Sequence, residues 1–208
     1  ALFSVVSRPE VVSLAGGMPN LKDLPLESLA ETAKELILSS GAQALQYGSG
    51  QGWEPLREQL VNVMTYDGII GADPDDVVIT TGSQQALDLM AELFIDSGEV
   101  VLAESPSYVG ALGCFRARQA DVIHVDMDEN GIIPEALEET IRRLKSAGRA
   151  IKFLYTIPNF HNPAGVTLSL ERRPLIAEIC MREHVLILED NPYGLLGFDS
   201  DPLPALRS

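Results

Sequence analysis

The chain has 208 residues, and its 46% apolar and 22% charged content is ordinary for a globular protein, which excludes wholesale disorder. Its 15 basic against 30 acidic side chains leave a formal charge of −15, which repels phosphate backbones and speaks against nucleic-acid binding. No apolar run approaches the ~18 residues that span a bilayer, the first twenty residues carry no basic-then-apolar leader, and two isolated cysteines, Cys114 and Cys180, fit a reducing cytoplasm and supply neither a disulfide framework nor a four-cysteine zinc site.

Residues 1–20 have no clear period and contain Gly16-Gly17 and Pro19, the pattern of an extended arm. Leu26, Leu29, Ala30, Ala33 and Ile37 then recur at helical spacing, and Gly41 is expected to stop that helix. A glycine-rich loop follows over Gln46–Trp53, and Leu56, Leu60, Val63 and Met64 mark a helix closed near Gly68. The weak boundary near Ala42–Gly48 divides an arm with a small-domain helix, residues 1–45, from a larger domain, residues 46–208. Beyond it the chain alternates. Strands are expected at Val77–Thr80, Val100–Ala103, Val122–Val125, Ile151–Tyr155 and Val185–Leu188. Between them stand helices carrying Ala86–Phe94, Tyr108–Arg116, Leu137–Leu144 behind Pro134, and Leu175–Cys180 behind a capping Ser169. Short apolar strands separated by helices imply an α/β fold: a mainly parallel sheet with helices on both faces, and ligands at the carboxyl ends of the strands. The chain opens on Ala1 rather than Met and is expected to be a piece of a longer protein.

The residues just past each strand carry the chemistry. Gly82-Ser83-Gln84 opens a helix and offers N–H groups and a hydroxyl, either to a phosphate or simply as a capped turn. Tyr108 is either a stacking ring or a core tyrosine. Thr156 to Gly165 forms a rigid loop holding Asn162 before a proline. Asp190 ends a buried strand, where an acid needs a partner: an arginine, a metal or a protonated ring nitrogen. Taken together, a phosphate cradle, a ring, an amide and a buried acid suit a flat, phosphorylated, cationic heteroaromatic cofactor. No His, Asp or Glu cluster has metal spacing; His161 reads as a spectator, and His124 and His184 as structural. Gly48-Ser-Gly50-Gln-Gly52 is not a dinucleotide fingerprint, since the spacing differs and no strand precedes it.

With Ser13-Leu-Ala-Gly-Gly-Met-Pro19, Tyr47-Gly-Ser-Gly-Gln-Gly52, Asn162-Pro-Ala-Gly165 and Asp190-Asn-Pro-Tyr193 in this order, the chain resembles the class I/II aminotransferases from about Val12 to Phe198. These are fold-type-I enzymes dependent on pyridoxal 5'-phosphate (PLP), and the likeness is to the branch of 2-aminoadipate and broad-specificity enzymes. The resemblance implies transamination between an amino acid and a 2-oxo acid. It implies that Asp190 pairs with the pyridine nitrogen and keeps it protonated, so that the ring draws electrons from the substrate. It further implies that Asn162 and Tyr193 bind the ring's phenolic oxygen, that Tyr108 stacks on the ring, and that Gly82, Ser83 and Gln84 hold the phosphate. Tyr47 would reach the phosphate of a neighbouring subunit in a homodimer, and Gly17 would lie against substrate. The bonds before Pro106 and Pro163 are expected to be cis.

The family's Schiff-base lysine, which follows the Asp-x-Pro-Tyr element, matches none of Lys22, Lys34, Lys145 and Lys152, and the carboxylate-binding arginine has no counterpart either. Both are expected in the remainder of the full-length protein, so that this chain alone is inactive. An incomplete sheet would leave an open edge and an apolar face, and the isolated piece is expected to aggregate or stay partly unfolded. Two alternatives share these residues: an amino-acid- or PLP-sensing domain of a transcription regulator, and a PLP-dependent lyase.

Overall fold

The computed structural model describes residues 10–12, 21–198 and 201–208. The chain divides into two compact units, Ala1–Gly48 and Ser49–Ser208. Gly17 and most of the arm lie outside the described residues.

The first unit is dominated by helix α1, Leu26–Ala44, none of whose residues is buried. Gly41 does not stop this helix. A glycine ends a helix by turning left-handed, whereas the carbonyl of Gly41 still accepts the Leu45 N–H at 3.0 Å; the chain bends instead at Ser40 (φ −139°).

In the second unit, α2 (Glu54–Met64) carries Pro55 in its first turn, where no N–H is needed. A 3₁₀ turn, Thr65–Asp67, closes on Gly68 in the left-handed region. There follow α3 (Ser83–Phe94), β1 (Val100–Ser105), α4 (Val109–Ala117), β2 (Asp121–Asp128), β3 (Gly131–Ile132), α5 (Pro134–Ser146), β4 (Ile151–Thr156), α6 (Arg172–Arg182) and β5 (Leu186–Glu189). The sheet order is β3-β2-β1-β4-β5, with β1, β2, β4 and β5 parallel and β3 antiparallel to β2.

Alternation along the strands sorts the core into two layers. Val100, Leu102 and Leu154 face Leu137, Ile141, Ile176 and Cys180 of α5 and α6. Val101, Ala103, Phe153 and Tyr155 face Leu87, Ala91, Ala111 and Phe115 of α3 and α4. Burial on both faces explains the apolar runs Val100–Ala103 of β1 and Phe153–Tyr155 of β4. Phe115 fixes the second layer through edge-on contacts, at 5.4 Å between ring centroids, with both Phe153 and Tyr155.

Two expectations about elements are corrected, and one strand, β3, was not expected. Val77–Thr80 is extended but forms no sheet strand: the Val77 N–H closes the preceding turn on the Pro74 carbonyl (3.1 Å), the Ile79 N–H donates to the Gln51 carbonyl (2.8 Å), and Val78 is 55% exposed. The apolar run shows fitness for burial; pairing needs a neighbour, and none lies beside it among the described residues. The two-residue β3 is too short to show a period. Ser169 caps no helix with its side chain; its carbonyl accepts the N–H groups of Arg172 and Arg173, and α6 starts after Glu171.

Candidate active site

The parallel register brings the carboxyl ends of β1, β4 and β5 together. Ala103 pairs with Tyr155, and Thr156 pairs with Glu189, so the loops that follow β4 and β5 leave the sheet side by side. The peptide bonds Ser105–Pro106 and Asn162–Pro163 are both cis, as expected.

Asp190 extends the ladder by one residue, its N–H donating to the Thr156 carbonyl at 2.9 Å. Its half-buried carboxylate accepts the Tyr155 hydroxyl at 2.7 Å through Oδ2. The Tyr155 side chain is wholly buried, and burial, followed by the hydrogen bond and the charge of Asp190, raises its pKa far above the ordinary tyrosine range. It is therefore a permanent donor. None of the partners envisaged from sequence for this acid included a tyrosine.

Tyr108 stands immediately before α4 and is half-buried, its ring lying so close over Gly110 that a Cβ there would sit 2.5 Å from it. It packs against the core layer to which Tyr155 and Phe115 belong. Gly82, in the left-handed region (φ 79°), turns the chain into α3, and Ser83 and Gln84 form the first turn, where N–H groups lack helical acceptors. All three are exposed, and open space surrounds Gly82 where a Cβ would stand. The Gln84 side chain reaches Cys114 Sγ on α4 (2.9 Å), tying this turn to the helix that begins after Tyr108.

Asn162 is half-buried within a loop that closes on itself: the His161 N–H donates to the Val166 carbonyl (2.8 Å), and the Gly165 N–H to the His161 carbonyl (2.6 Å). Tyr193 is half-buried in the turn after β5. Tyr47 belongs to the first unit, where its ring is fully exposed.

Sequence reasoning missed the groups beneath this loop. Glu104, 1% exposed near the end of β1, accepts the Thr156 hydroxyl (2.7 Å) and the Ile157 N–H (2.9 Å). His161 is no spectator: it is buried, and its Nε2 lies 3.1 Å from Glu104 Oε2, within charge–charge reach but off hydrogen-bond alignment. Its Nδ1 accepts the Ala164 N–H at 3.2 Å, so in the neutral ring Nε2 carries the hydrogen. His124 meets the Glu104 carbonyl through Nδ1 (2.9 Å), consistent with a structural role. Buried Arg173 on α6 donates to Asn159 Oδ1 (2.7 Å), and the Asn159 amide donates in turn to Asn191 Oδ1 (2.8 Å), joining the two loops. The available signal for Glu104 was an acid closing an otherwise apolar strand, the same signal that marked Asp190.

Among the described residues no group of His, Cys, Asp and Glu has metal-holding geometry, and no helix is long and apolar enough to cross a membrane. Cys114 and Cys180 are buried free thiols, and burial pushes that of Cys180 up to about 12.

Comparison with known proteins bears on this arrangement. Residues 9–207 match the model of the family described as aminotransferase class I and II. An aromatic-amino-acid aminotransferase of Thermococcus litoralis is 38% identical over 100% of this chain and 50% of its own length. A 2-aminoadipate transaminase of Thermus thermophilus is 38% identical over 99% of this chain and 49% of its own. These relatives are named for transamination, not for regulation or lyase chemistry. The crystal structure of a Pyrococcus horikoshii kynurenine aminotransferase, in complex with PMP, superimposes with a TM-score of 0.92 at 38% identity, over 99% of this chain and 51% of that one. An α-aminoadipate aminotransferase of Thermus thermophilus, complexed with N-(5'-phosphopyridoxyl)-L-leucine, gives 0.84 at 38% identity, over 92% and 46%. The chain thus spans about half the length of the curated relatives it matches. Over that span it has the fold of the fold-type-I aminotransferases, and it belongs to the aminotransferase class I and II family.

Proposed function

We propose that the full-length protein is a PLP-dependent aminotransferase that moves an amino group between an amino acid and a 2-oxo acid, with these residues supplying the ring- and phosphate-binding half of its site. The observation that carries this reading is Asp190: a carboxylate at the mouth of a parallel sheet, held on one oxygen by Tyr155 and left with acceptor capacity on the other. The donor set fits the cofactor, combining this acid with a helix N-terminus, an aromatic ring and an amide loop within one unit.

PLP, when bound, supplies an electron sink for the pair left when substrate loses its α-proton. Asp190 favours the protonated ring nitrogen by its charge. Tyr108 stacks on the ring, while Asn162 and Tyr193 hydrogen-bond its phenolic oxygen. The Gly82, Ser83 and Gln84 N–H groups, with the Ser83 hydroxyl, hold the phosphate at the positive end of α3. Tyr47 serves the phosphate of the partner subunit in a homodimer, and Gly17 lies along substrate. Residues 1–45 act as arm and small-domain helix, and residues 46–208 as part of the cofactor-binding domain. Lys145 is paired with Glu183 and Lys152 with Glu99, so neither is assigned as the cofactor's lysine; that lysine and the substrate-carboxylate arginine belong to the remainder of the full-length protein. Two buried, unbridged thiols support a cytoplasmic setting.

The test is transfer of label. The full-length protein, loaded with PLP, receives ¹⁵N-labelled aromatic amino acids or 2-aminoadipate together with a 2-oxo acid. Label appearing in the amino acid formed from the oxo acid supports transamination; label released only as ammonium, or no transfer across the panel, overturns it.

A further inference from the structure

The hydrogen bond from Tyr155 to Asp190 joins two residues fixed by the same sheet. Tyr155 sits on β4 between two parallel neighbours, paired with Ala103 of β1 and with Leu188 of β5. Its ring is wholly buried and meets Phe115 edge-on at 73°. Asp190 follows β5 directly, and its N–H is spent on the Thr156 carbonyl, one residue past Tyr155. Neither partner can move without breaking the ladder, so the 2.7 Å contact is built in before any ligand arrives.

The contact also divides the carboxylate. Oδ2 accepts the Tyr155 hydroxyl, which leaves Oδ1 as the oxygen for a second donor. A carboxylate without such a tether turns about its last side-chain bond at little cost, because that torsion is broad. The titratable groups around the hydroxyl are Asp190, Glu104 from β1 and Tyr108 before α4, and all three favour its protonated form. Glu104 is itself occupied by Thr156, Ile157 and the nearby His161, so it does not compete for the Tyr155 proton.

We propose that Tyr155 is a positioning residue: its hydroxyl locks Oδ2 of Asp190 and thereby presents Oδ1 to the cofactor's ring nitrogen. This rests on the role assigned to Asp190 above. Nothing in the apolar run Ile151–Tyr155 distinguishes this tyrosine from a residue that only fills the core.

The experiment uses the full-length protein with PLP and reads the dissociation constant of PLP and the pH midpoint of its bound visible absorbance. The variants are Tyr155→Phe, Asp190→Asn and the two combined. Tyr155→Phe, which deletes one oxygen, is expected to weaken PLP binding about tenfold and displace the midpoint; the same change in the Asp190→Asn background is expected to add nothing further. Tyr155→3-fluorotyrosine retains the O–H and is expected to keep the wild-type values, which guards against misreading a folding defect in Tyr155→Phe. If Asp190→Asn moves both readouts while Tyr155→Phe moves neither, or if Tyr155→Phe acts equally in both backgrounds, the positioning role falls and the role of Asp190 stands. If Asp190→Asn itself moves neither readout, the role of Asp190 falls and this inference falls with it.

Discussion

His161 Nε2 lies 3.1 Å from Glu104 Oε2, with both side chains 1% exposed, beneath the loop that carries Asn162. The same carboxyl receives the Thr156 hydroxyl and the Ile157 N–H, so it joins the end of β1, the end of β4 and the loop. A buried polar group left without its partner costs about 1–3 kcal/mol.

Glu104→Leu strands two buried donors at once, the Thr156 hydroxyl and the Ile157 N–H, and is expected to destabilise the protein by about 2 kcal/mol or more, read by urea denaturation. Glu104→Gln keeps an acceptor oxygen and is expected to lose less. Equal stability of Glu104→Leu and wild type would remove the carboxyl's role as the anchor of this loop.

A second carboxyl, Glu189 at the end of β5, responds to pH. Burial raises its pKa above the ordinary 4.5, against the opposing pull of the Leu206 N–H and the Arg173 charge. The folded state therefore holds this proton more tightly than the unfolded state. Between 4.5 and the raised value, stability falls as pH rises, and the loss persists above that window. Glu189→Gln removes the ionisable group while keeping an acceptor for Leu206. Its stability relative to wild type is expected to improve as pH climbs from about 4 to about 8 in thermal melts. A constant difference across that range would show that Glu189 ionises without burial cost.

Much of the fold was legible in the sequence because burial leaves a periodic mark. Helix α5 runs from Pro134 with Leu137, Ile141 and Leu144 on one buried stripe, as its spacing says. Val100–Ala103 of β1 and Phe153–Tyr155 of β4 are apolar on both faces because helices cover both. Val77–Thr80 bears the same mark without a ladder, since composition records burial but not the neighbour that pairs. The sequence singled out residues just past β1 and β5, Tyr108 and Asp190 among them, because the ends of apolar runs are visible as such. The supporting partners of the candidate site were not legible, because they meet across long separations: Tyr155 and Asp190 are 35 residues apart, and Glu104 and Thr156 are 52. No local pattern encodes which donor meets which acceptor once the sheet has formed. His161 was misread for that reason, as its neighbour in space is the end of a strand far upstream.

The most direct test of the account is the turnover of Asp190→Ala in the full-length, PLP-supplemented protein, beside its melting temperature. The prediction is a fall in kcat of roughly 10²-fold or more with the fold retained, since the charge facing the ring nitrogen is lost while the sheet is not. Near-wild-type turnover in a folded Asp190→Ala protein would contradict the role given to Asp190 and the site built around it.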